Sequence, residues 1–592
     1  MKFISSIGVD AGVHNDRTGL VLNIGITGHR NIAPMDHQKL KEQCKKIFAR
    51  ILKIVEEAHS GSTGFYSQDR PQIRVITSLA EGFDRIAAHA ALDMGFEIQC
   101  PLPRGKADYM KDFETQESKD EFLELADKAA AVFELDVHGK DDRRAYLDSG
   151  VVMLDHSDLV VACWDGRQSA GPGGTGDIVG LAGEQGIPVI VIKKDDISQI
   201  GYMFSDRNNI MWEQALESYL KELLVPEPEE DGEEPFSRTF FGERADRKNR
   251  AFLYRGLEKI FSPREKEVKK GPRQDEDYKP DPFFRPFFEK ADALAEYYAD
   301  YYRSAGVLRN IIPLFASVAM AFGFYWKWGE NPDIINVLGF ISQAVLIYLL
   351  VYILGSRNEK KKWHQKSMDY RILAELLRQA EFLLPMGITL KGVKAQAYEL
   401  NSRASWVNWY FRSIIRKIGL CSCKIDNAAM EFYAGRFKEK LLLGQKNFYR
   451  KSAERKKAVA ARLQKCGVIF FNMGIAVTVL RVIVHFLYQI DRGFPVWYMG
   501  IKISTFFNML CLLLPAAGTA VFAVAAQAGF DRLGKRYEMM EKQIGAMIDD
   551  IDQASRQSYR KLAGIMQSAS GLLIEEVSDW RLFFKGKGIS KR

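Results

Sequence analysis

Cysteine is scarce in this chain, and its cysteines are not spaced as metal ligands or as a disulfide framework. Seven cysteines occur among 592 residues, and only Cys421 and Cys423 lie close together in sequence. No second pair and no nearby histidine completes a metal site, so we expect no bound metal and reduced thiols. This composition argues against a zinc module and against a small disulfide-stabilised secreted domain.

A strong excess of one charge is also missing. Lysine and arginine number 83, against 75 aspartates and glutamates, which gives a formal net charge of +8. This excess is small for the length of the chain, so we expect no nucleic-acid partner. The beginning of the chain, MKFISSIGVDAGV, lacks the long apolar run of a signal peptide. The length itself predicts more than one domain.

Long apolar runs are present, and they predict membrane crossing. The stretches 308–326, 334–354, 467–487 and about 498–522 each approach the roughly 20 apolar residues that a bilayer requires. Basic residues follow the second and fourth stretches and precede the third, whereas the two short connections are nearly neutral. The positive-inside rule therefore predicts four transmembrane helices, with both termini and the segment 356–466 in the cytoplasm.

Polar side chains interrupt two of these apolar runs. Arg481 and His485 are four residues apart, so a helix places them on one face. Asn472 lies on the same run, Asn508 on the next, and Pro515 predicts a kink there. Ionisable groups at membrane depth commonly face a protein or water-filled interior, which makes these four polar residues candidates for lining a pore. The alternative for Arg481 is that its side chain extends to the membrane surface.

The first 225 residues alternate strand-like and helix-like patterns. Buried-strand patterns occur at 21–27, 72–77, 96–100, 158–163 and 188–192, with helical patterns between them. This alternation predicts an α/β, Rossmann-like domain with a mostly parallel sheet and helices on both faces. Ligands of such sheets bind at the carboxyl ends of the strands. We therefore expect the functional residues of 1–225 at that edge.

Polar and glycine-rich clusters follow three of the predicted strands: 27–30 after the first strand, 78–85 after the second, and 165–166 with 171–177 after the fourth. Glycines let the backbone approach an anion closely, and a helix N-terminus favours negative charge, so the loop before Asp177 is typical of phosphate binding. Each cluster alone is equally explained as an ordinary surface loop, but their convergence at one edge favours a shared pocket. The candidate ligand-binding residues are Thr27, Gly28, His29, Arg30, Ser78, Glu81, Gly82, Asp84, Arg85, Asp165, Gly166, Gly173, Gly174, Thr175 and Asp177.

These motifs resemble the SLOG superfamily, Rossmann-like domains related to the LOG phosphoribohydrolases and to the DNA-processing protein DprA. The resemblance is carried by TGHR at 27–30, SLAEGFDRIAA at 78–88, SDLVVACWDG at 157–166 and GGTGDIVGLA at 173–182. It implies that Gly173, Gly174 and Thr175 hold phosphate. The implied ligand is an ADP-ribose isomer or other NAD derivative, or a cyclic oligonucleotide, without any further cofactor.

The resemblance also leaves an enzymatic alternative open, a membrane-tethered N-glycoside hydrolase of LOG type. LOG-type hydrolases resemble PGGxGTxxE, whereas this chain reads PGGTGD at 172–177 and has Val179 and Gly180 where the glutamate would fall. Glu81 and Asp177 are the remaining candidate catalytic residues, and both stand at helix starts, where a carboxylate is also an ordinary cap. The departure favours ligand binding over hydrolysis.

The remainder of the chain divides into a linker, 226–285, and a helical region, 286–592. The linker begins with the acidic run PEPEEDGEEP. Long cytoplasmic helices are predicted within 356–466, and one long cytoplasmic C-terminal helix is predicted in 530–592. The helical region resembles the SLATT family of membrane effectors that occur fused to sensor domains in bacterial conflict systems. It implies a homo-oligomeric, nucleotide-gated effector of antiphage defence, with a partner enzyme that makes the ligand. The residues that carry the resemblance are Tyr370, Arg371, Ala374, Glu375, Arg378, Trp406, Trp409, Gln445, Tyr449, Lys451, Glu576 and Trp580.

Overall fold

The computed structural model describes most of the chain, and every structural statement below refers to the residues it describes. The second predicted span, 334–354, lies outside them apart from isolated positions, as does the side chain of Trp580. The described ranges are 17–62, 64–137, 143–169, 171–204, 211–226, 236–245, 253–261, 280–327, 362–390, 406–490, 497–498, 501–555 and 558–585, with a few single positions between 341 and 352.

One eight-stranded sheet organises the fold, in the order β7-β6-β5-β1-β2-β3-β4-β8. All its pairings are parallel except that of β6 with β7. The mostly parallel sheet predicted from the sequence is therefore confirmed. Its strands are β1 (Val21–Gly28), β2 (Gln72–Ile76), β3 (Glu97–Leu102), β4 (Ala131–Leu135), β5 (Leu159–Trp164), β6 (Val189–Lys193), β7 (Ile200–Met203) and β8 (Cys423–Ile425).

Helices flank the sheet and form most of the regular structure outside it. Before residue 262 they are α1 (Pro34–Gly61), α2 (Phe83–Asp93), α3 (Lys106–Tyr109), α4 (Gln116–Lys128), α5 (Arg144–His156), α6 (Thr175–Glu184), α7 (Trp212–Leu224), α8 (Phe236–Gly242) and α9 (Leu253–Phe261). After it they are α10 (Arg285–Lys327), α11 (Trp363–Leu383), α12 (Trp406–Ile418), α13 (Asn427–Arg436), α14 (Leu443–Ile490), α15 (Ile503–Ala528), α16 (Phe530–Ala554) and α17 (Tyr559–Lys585). A π-helical turn, Phe437–Leu442, joins α13 to α14.

The edge strand β8 comes from the segment 356–466, which the sequence predicts to be helical throughout. Cys423, Lys424 and Ile425 pair in parallel with Phe133, Glu134 and Leu135 of β4. Gly419 ends the preceding helix with a φ of +68°, a conformation that favours glycine. The three residues are too few to form a helix, and the open edge of β4 supplies the hydrogen bonds that they need.

Two hydrophobic cores, one on each face of the sheet, continue from the strands into the C-terminal helices. The first joins β1 and α1 to α11 and α12, and the second joins α5 and α6 to α16 and α17. Polar contacts cross the same boundary, since Arg74 Nη1 donates to the carbonyl of Arg416 over 2.7 Å. Phe240, within the predicted linker 226–285, is fully buried and packs on Tyr370 and Trp406. The sheet and the helical region are therefore extensively packed against each other.

Two helical stretches within the described residues, Asn427–Leu487 and Phe506–Ala554, are long and apolar enough to cross a membrane. The two stretches pack closely at Gly474, where an added Cβ would lie only 2.8 Å from Pro515 Cγ. A small residue at this position allows the close approach. The fourth predicted span begins slightly early, since Trp497–Tyr498 and Ile501–Lys502 form a short hairpin before α15. The C-terminal helix predicted as continuous is interrupted, with α16 ending at Ala554 and α17 starting at Tyr559.

Candidate functional site

The ends of β1 and β5 meet at the carboxyl edge of the sheet through His29 and Asp165. Gly28 is in register with Cys163 on the neighbouring strand, so the residues that follow each strand are brought side by side. The amide of His29 donates to the carbonyl of Cys163, and His29 Nε2 lies 3.3 Å from Asp165 Oδ1. Both side chains are only partly buried, and they form one wall of the candidate site.

The loop between β2 and α2 lies directly against the end of β1. Gly82 has a φ of +82°, and a Cβ added to it would lie 2.2 Å from the carbonyl oxygen of Arg30. The amide of Phe83 donates to the carbonyl of His29 over 3.2 Å. Leu79 has a φ of +54°, which is strained for a branched side chain. The second predicted cluster is thus held tightly beside the first.

Helix α5 connects the three predicted clusters, although the sequence reasoning did not single it out. The guanidinium of Arg30 lies over the ring of Tyr146, 5.1 Å from its centroid. Gly173 faces the same helix, because a Cβ there would lie 2.4 Å from the amide nitrogen of Leu147. Ser149 Oγ is 2.8 Å from Ser78 Oγ and also donates to the carbonyl of Pro101. One face of α5 therefore forms the floor of the site.

The glycine-rich loop before α6 is ordered by its own hydrogen bonds. The carboxylate of Asp177 accepts from the amide of Gly173 over 3.2 Å, and the amide of Asp177 donates to Ser169 Oγ over 2.9 Å. Gly174 is the N-cap residue of α6, so the first amides of that helix lack partners within the helix. A phosphate placed there would meet a helix N-terminus, but it would have to displace Asp177 to use the amide of Gly173.

Asp84 and Arg85 are buried, as is Thr27, whereas the other candidates are partly or fully exposed. Arg85 donates to the carbonyl of Leu79 and pairs with Glu121 at 3.0 Å, so it holds the β2–α2 loop onto α4. Thr77 Oγ1 donates to Asp84 Oδ2 over 3.0 Å. Burial raises the pKa of Asp84 to about 7, with the Thr77 hydrogen bond and nearby arginines opposing the shift. Asp84 and Arg85 therefore hold the β2–α2 loop in place from its buried side.

The two candidate catalytic carboxylates already have partners within the chain. Glu81 Oε1 accepts a hydrogen bond from Ser118 Oγ, and Asp177 caps the loop at Gly173. A nearby acidic group is also engaged, since Asp112 accepts from Tyr146 and pairs with Arg104 at 3.1 Å. These hydrogen bonds and the ion pair suit the carboxylates to holding the surrounding loops in position.

The polar residues of the apolar runs lie on or between the two candidate spans. Arg481, His485 and Asn472 are exposed on α14, among exposed apolar side chains such as Val482 and Phe486. Asn508 Oδ1 is buried and has no hydrogen-bond partner within the described residues. The three exposed residues on α14 therefore face outward from the single chain.

The residues that the sequence reasoning missed are Tyr146, Ser149 and Ser118. Tyr146 and Ser149 are three residues apart, which places them on one face of α5, and this spacing is the signal that could have found them. Ser118 carries no such signal, because its contacts come from the packing of α4 on α2. The described residues hold no cluster of three or more His, Cys, Asp or Glu side chains fit to bind a metal ion.

No protein-family model, curated protein or solved structure matches this chain. Functional assignment therefore depends on the chemistry of the site and on the way the chain connects it to the two helical stretches that could cross a membrane.

Proposed function

We propose that this chain is a membrane effector gated by a nucleotide second messenger that binds at the carboxyl edge of the sheet. The observation that carries the proposal is the continuity between the sheet and a helical run that is long and apolar enough to cross a membrane. Strand β8 completes the sheet, and after Asp426 the chain enters the helical run that includes α13 and α14. A ligand that prefers one arrangement of the sheet and its edge would thereby bias the membrane helices.

The ligand in this proposal is an ADP-ribose isomer or other NAD derivative, or a cyclic oligonucleotide, made by a partner enzyme. The N-terminus of α6 and the loop at Gly173 and Gly174 suit a phosphate group. Arg30 supplies a positive charge at the same edge, and the ring of Tyr146 supplies an aromatic surface. These groups fit both ligand classes, because each combines phosphates with a flat base.

The membrane part of the proposal is a bundle of four transmembrane helices per chain in the inner membrane, with both termini cytoplasmic. Helices α14 and α15 would form one hairpin, and the apolar end of α10 with the segment 334–354 would form the other. Arg481 and His485 are exposed on a single chain, and such groups are costly against lipid. Assembly of several chains would cover them, so the proposal includes a homo-oligomeric pore, acting in antiphage defence.

The test uses the full chain reconstituted in liposomes that contain a self-quenching dye. Cyclic ADP-ribose, ADP-ribose and cyclic dinucleotides are added separately, and dye release and bound nucleotide are measured together. We expect one nucleotide class to release dye and to be recovered intact. Dye release with no dependence on any nucleotide would contradict gating.

The hydrolase alternative is resolved in the same experiment by mass spectrometry of the added nucleotide. Turnover to a free base and a ribose phosphate, abolished by Glu81→Gln or Asp177→Asn, would establish an enzyme. Binding without turnover, retained in both variants, supports the sensor. The hydrogen bonds of Glu81 with Ser118 and of Asp177 with Gly173 favour this second outcome.

A further inference from the structure

A cavity lies at the edge of the sheet opposite the candidate nucleotide site. It is bounded by Asn23 near the start of β1, by Asp158 immediately before β5, and by α11, α12 and α17. Because the strands are parallel, their amino ends share this edge, whereas His29 and Asp165 lie at the other. The cavity is therefore separate from the site described above, and it lies where the sheet meets the helical region.

The lining of the cavity suits a small organic ligand. About 70 Å³ of the cavity is enclosed, and a mouth open to solvent brings the total space to about 850 Å³, so a ligand would lie partly in the mouth. Half of its lining is apolar, with Leu376, Ala380, Leu384, Phe411 and Ile574 among those residues. The apolar residues exclude water from one side of the cavity, and the polar residues form a strip along the other side.

Most polar groups of that strip are already satisfied within the chain. Asn23 Nδ2 donates to the carbonyl of His156 over 2.9 Å, and Thr389 Oγ1 donates to the carbonyl of Asp155 over 3.1 Å. Arg416 Nε donates to Asp158 Oδ1 over 2.9 Å, and both side chains are at most 5% exposed. These groups fix the strip in place.

One hydrogen-bond donor of the polar strip has no partner within the described residues. Arg416 Nη2 is buried and has no hydrogen-bond partner within the described residues, although Arg416 lines the cavity. An unpaired buried donor is costly, and a ligand oxygen that accepts from it would remove that cost. The unpaired donor thus indicates a ligand with a hydrogen-bond acceptor.

The charge of the lining limits what that acceptor can be. Two arginines, Arg412 and Arg416, are balanced by two aspartates, Asp155 and Asp158. Arg416 is already paired with Asp158, so an added carboxylate or phosphate would be buried without a compensating change in charge. A neutral carbonyl oxygen avoids this cost.

We infer that this cavity binds a mostly apolar, uncharged small molecule whose ketone or ester carbonyl accepts a hydrogen bond from Arg416. The ligand would contact β1, α11, α12 and α17 together, so its binding stabilises the packing of the sheet on the helical region. This inference does not depend on a nucleotide at the opposite edge.

The test uses benzophenone as the probe, since it is apolar, carries one carbonyl and attaches to nearby C–H groups under ultraviolet light. The full chain in lipid nanodiscs is irradiated with increasing benzophenone, and labelled peptides are identified by mass spectrometry. We expect saturable labelling of peptides containing Leu376–Leu390 and Phe411–Ile415, reduced by phenyl benzoate as a competitor. 4-Benzoylbenzoate, which adds a carboxylate to the same molecule, is expected to label these peptides at least about tenfold more weakly.

Two variants separate the two parts of the inference. Ala380→Phe fills the cavity and should abolish the saturable labelling, whereas Ala428→Phe adds the same ring at an exposed position and should leave it unchanged. Arg416→Lys keeps a charge for Asp158 but removes the free donor, so half-saturation should require roughly tenfold more probe, as expected for one lost charged hydrogen bond.

Several results would overturn the inference. Labelling that does not saturate, or that is unaffected by phenyl benzoate, would mean that the cavity is not a binding site. Equal or stronger labelling by 4-benzoylbenzoate would rule out a neutral ligand. Circular dichroism of each variant checks folding, and if Ala380→Phe fails to fold, the competitor and Arg416→Lys measurements still decide.

Discussion

Gly82 lies against the carbonyl of Arg30 so closely that no side chain fits between them. A Cβ at Gly82 would be 2.2 Å from that oxygen, and the φ of +82° already disfavours other residues. The contact fixes the β2–α2 loop onto the end of β1, and with it the spacing between two of the three polar clusters. Several expected outcomes depend on contacts of this kind.

The first prediction concerns Gly82→Ala, with Gly95→Ala as its matched control. Gly95 also has a positive φ, +74°, but open space where its Cβ would be. Both changes introduce backbone strain at a positive φ, but the strain is larger at Gly82, whose ψ of −124° lies in a region that only glycine adopts readily, and only Gly82→Ala adds a clash with main-chain atoms. We expect Gly82→Ala to lower the free energy of unfolding by ~1–2 kcal/mol more than the control, measured by denaturant titration. Equal losses of unfolding free energy in the two variants would mean that the β2–α2 loop moves away from Arg30 without an energetic cost.

The second prediction compares Gly173→Ala with Gly166→Ala. Their φ values are +80° and +81°, but only Gly173 faces a neighbouring backbone, at Leu147. We expect Gly173→Ala to push the glycine loop away from α5, which raises hydrogen exchange in residues 144–149 and 171–178. Gly166→Ala should leave the exchange of both segments as it is, because a Cβ there meets open space.

The third prediction is a pH dependence caused by Asp84. Its pKa is raised from 3.8 to about 7 by burial, so the folded protein holds a proton that the unfolded chain releases. The corresponding stability is fully present below about pH 4 and is lost as the pH rises towards 7. Relative to Asp84→Asn, we expect the wild-type chain to lose roughly 3–4 kcal/mol of unfolding free energy across this window. If the unfolding free energy of the two proteins changes equally with pH, Asp84 is not the cause of the dependence.

The fourth prediction concerns the buried pair of Arg416 and Asp158. Their side chains are 5% and 3% exposed, so Asp158→Asn leaves a buried charge without its partner. We expect a loss of ~3–5 kcal/mol in unfolding free energy, partly recovered when Arg416→Met is added. Glu124→Gln breaks an exposed pair with Lys128 and should leave the unfolding midpoint unchanged. A double variant as unstable as Asp158→Asn alone would contradict this account.

The fifth prediction concerns the edge strand as a connection between the sheet and the candidate membrane-spanning helix that follows it. Ile425 is fully buried, whereas its neighbour Lys424 is exposed. Ile425→Ala should cost ~2–4 kcal/mol through the cavity it leaves, and should weaken nucleotide-dependent dye release more than nucleotide binding. Lys424→Ala serves as the control and should preserve both. Loss of binding and release in equal measure would argue against a connecting role.

The strands that were predicted correctly are those with continuous apolar runs, such as β1 and β5. Their neighbours on both sides are other strands, so nearly every residue is buried and local pattern is sufficient. Strand β4 was missed because it alternates buried and partly exposed residues and is short. Strand β8 was missed because its three residues gain their structure from β4, about 290 residues away.

The candidate site was predictable where the chemistry is local and not where it depends on packing. Glycines at 82 and 173 mark tight approaches, and those signals are in the sequence. The burial of Arg85 beneath the loop depends on α4, and the role of Tyr146 depends on α5 crossing under three loops. Tertiary contacts of that kind leave no periodic trace in the residues themselves.

The position of β8 also has a consequence for how the protein is made. Strand β4 is complete at residue 135, but its outer edge cannot be paired until Cys423–Ile425 has left the ribosome. During the synthesis of nearly 290 residues, an unpaired strand edge is therefore exposed. Nascent chains are open to mispairing with one another until β8 has been made and the sheet is complete.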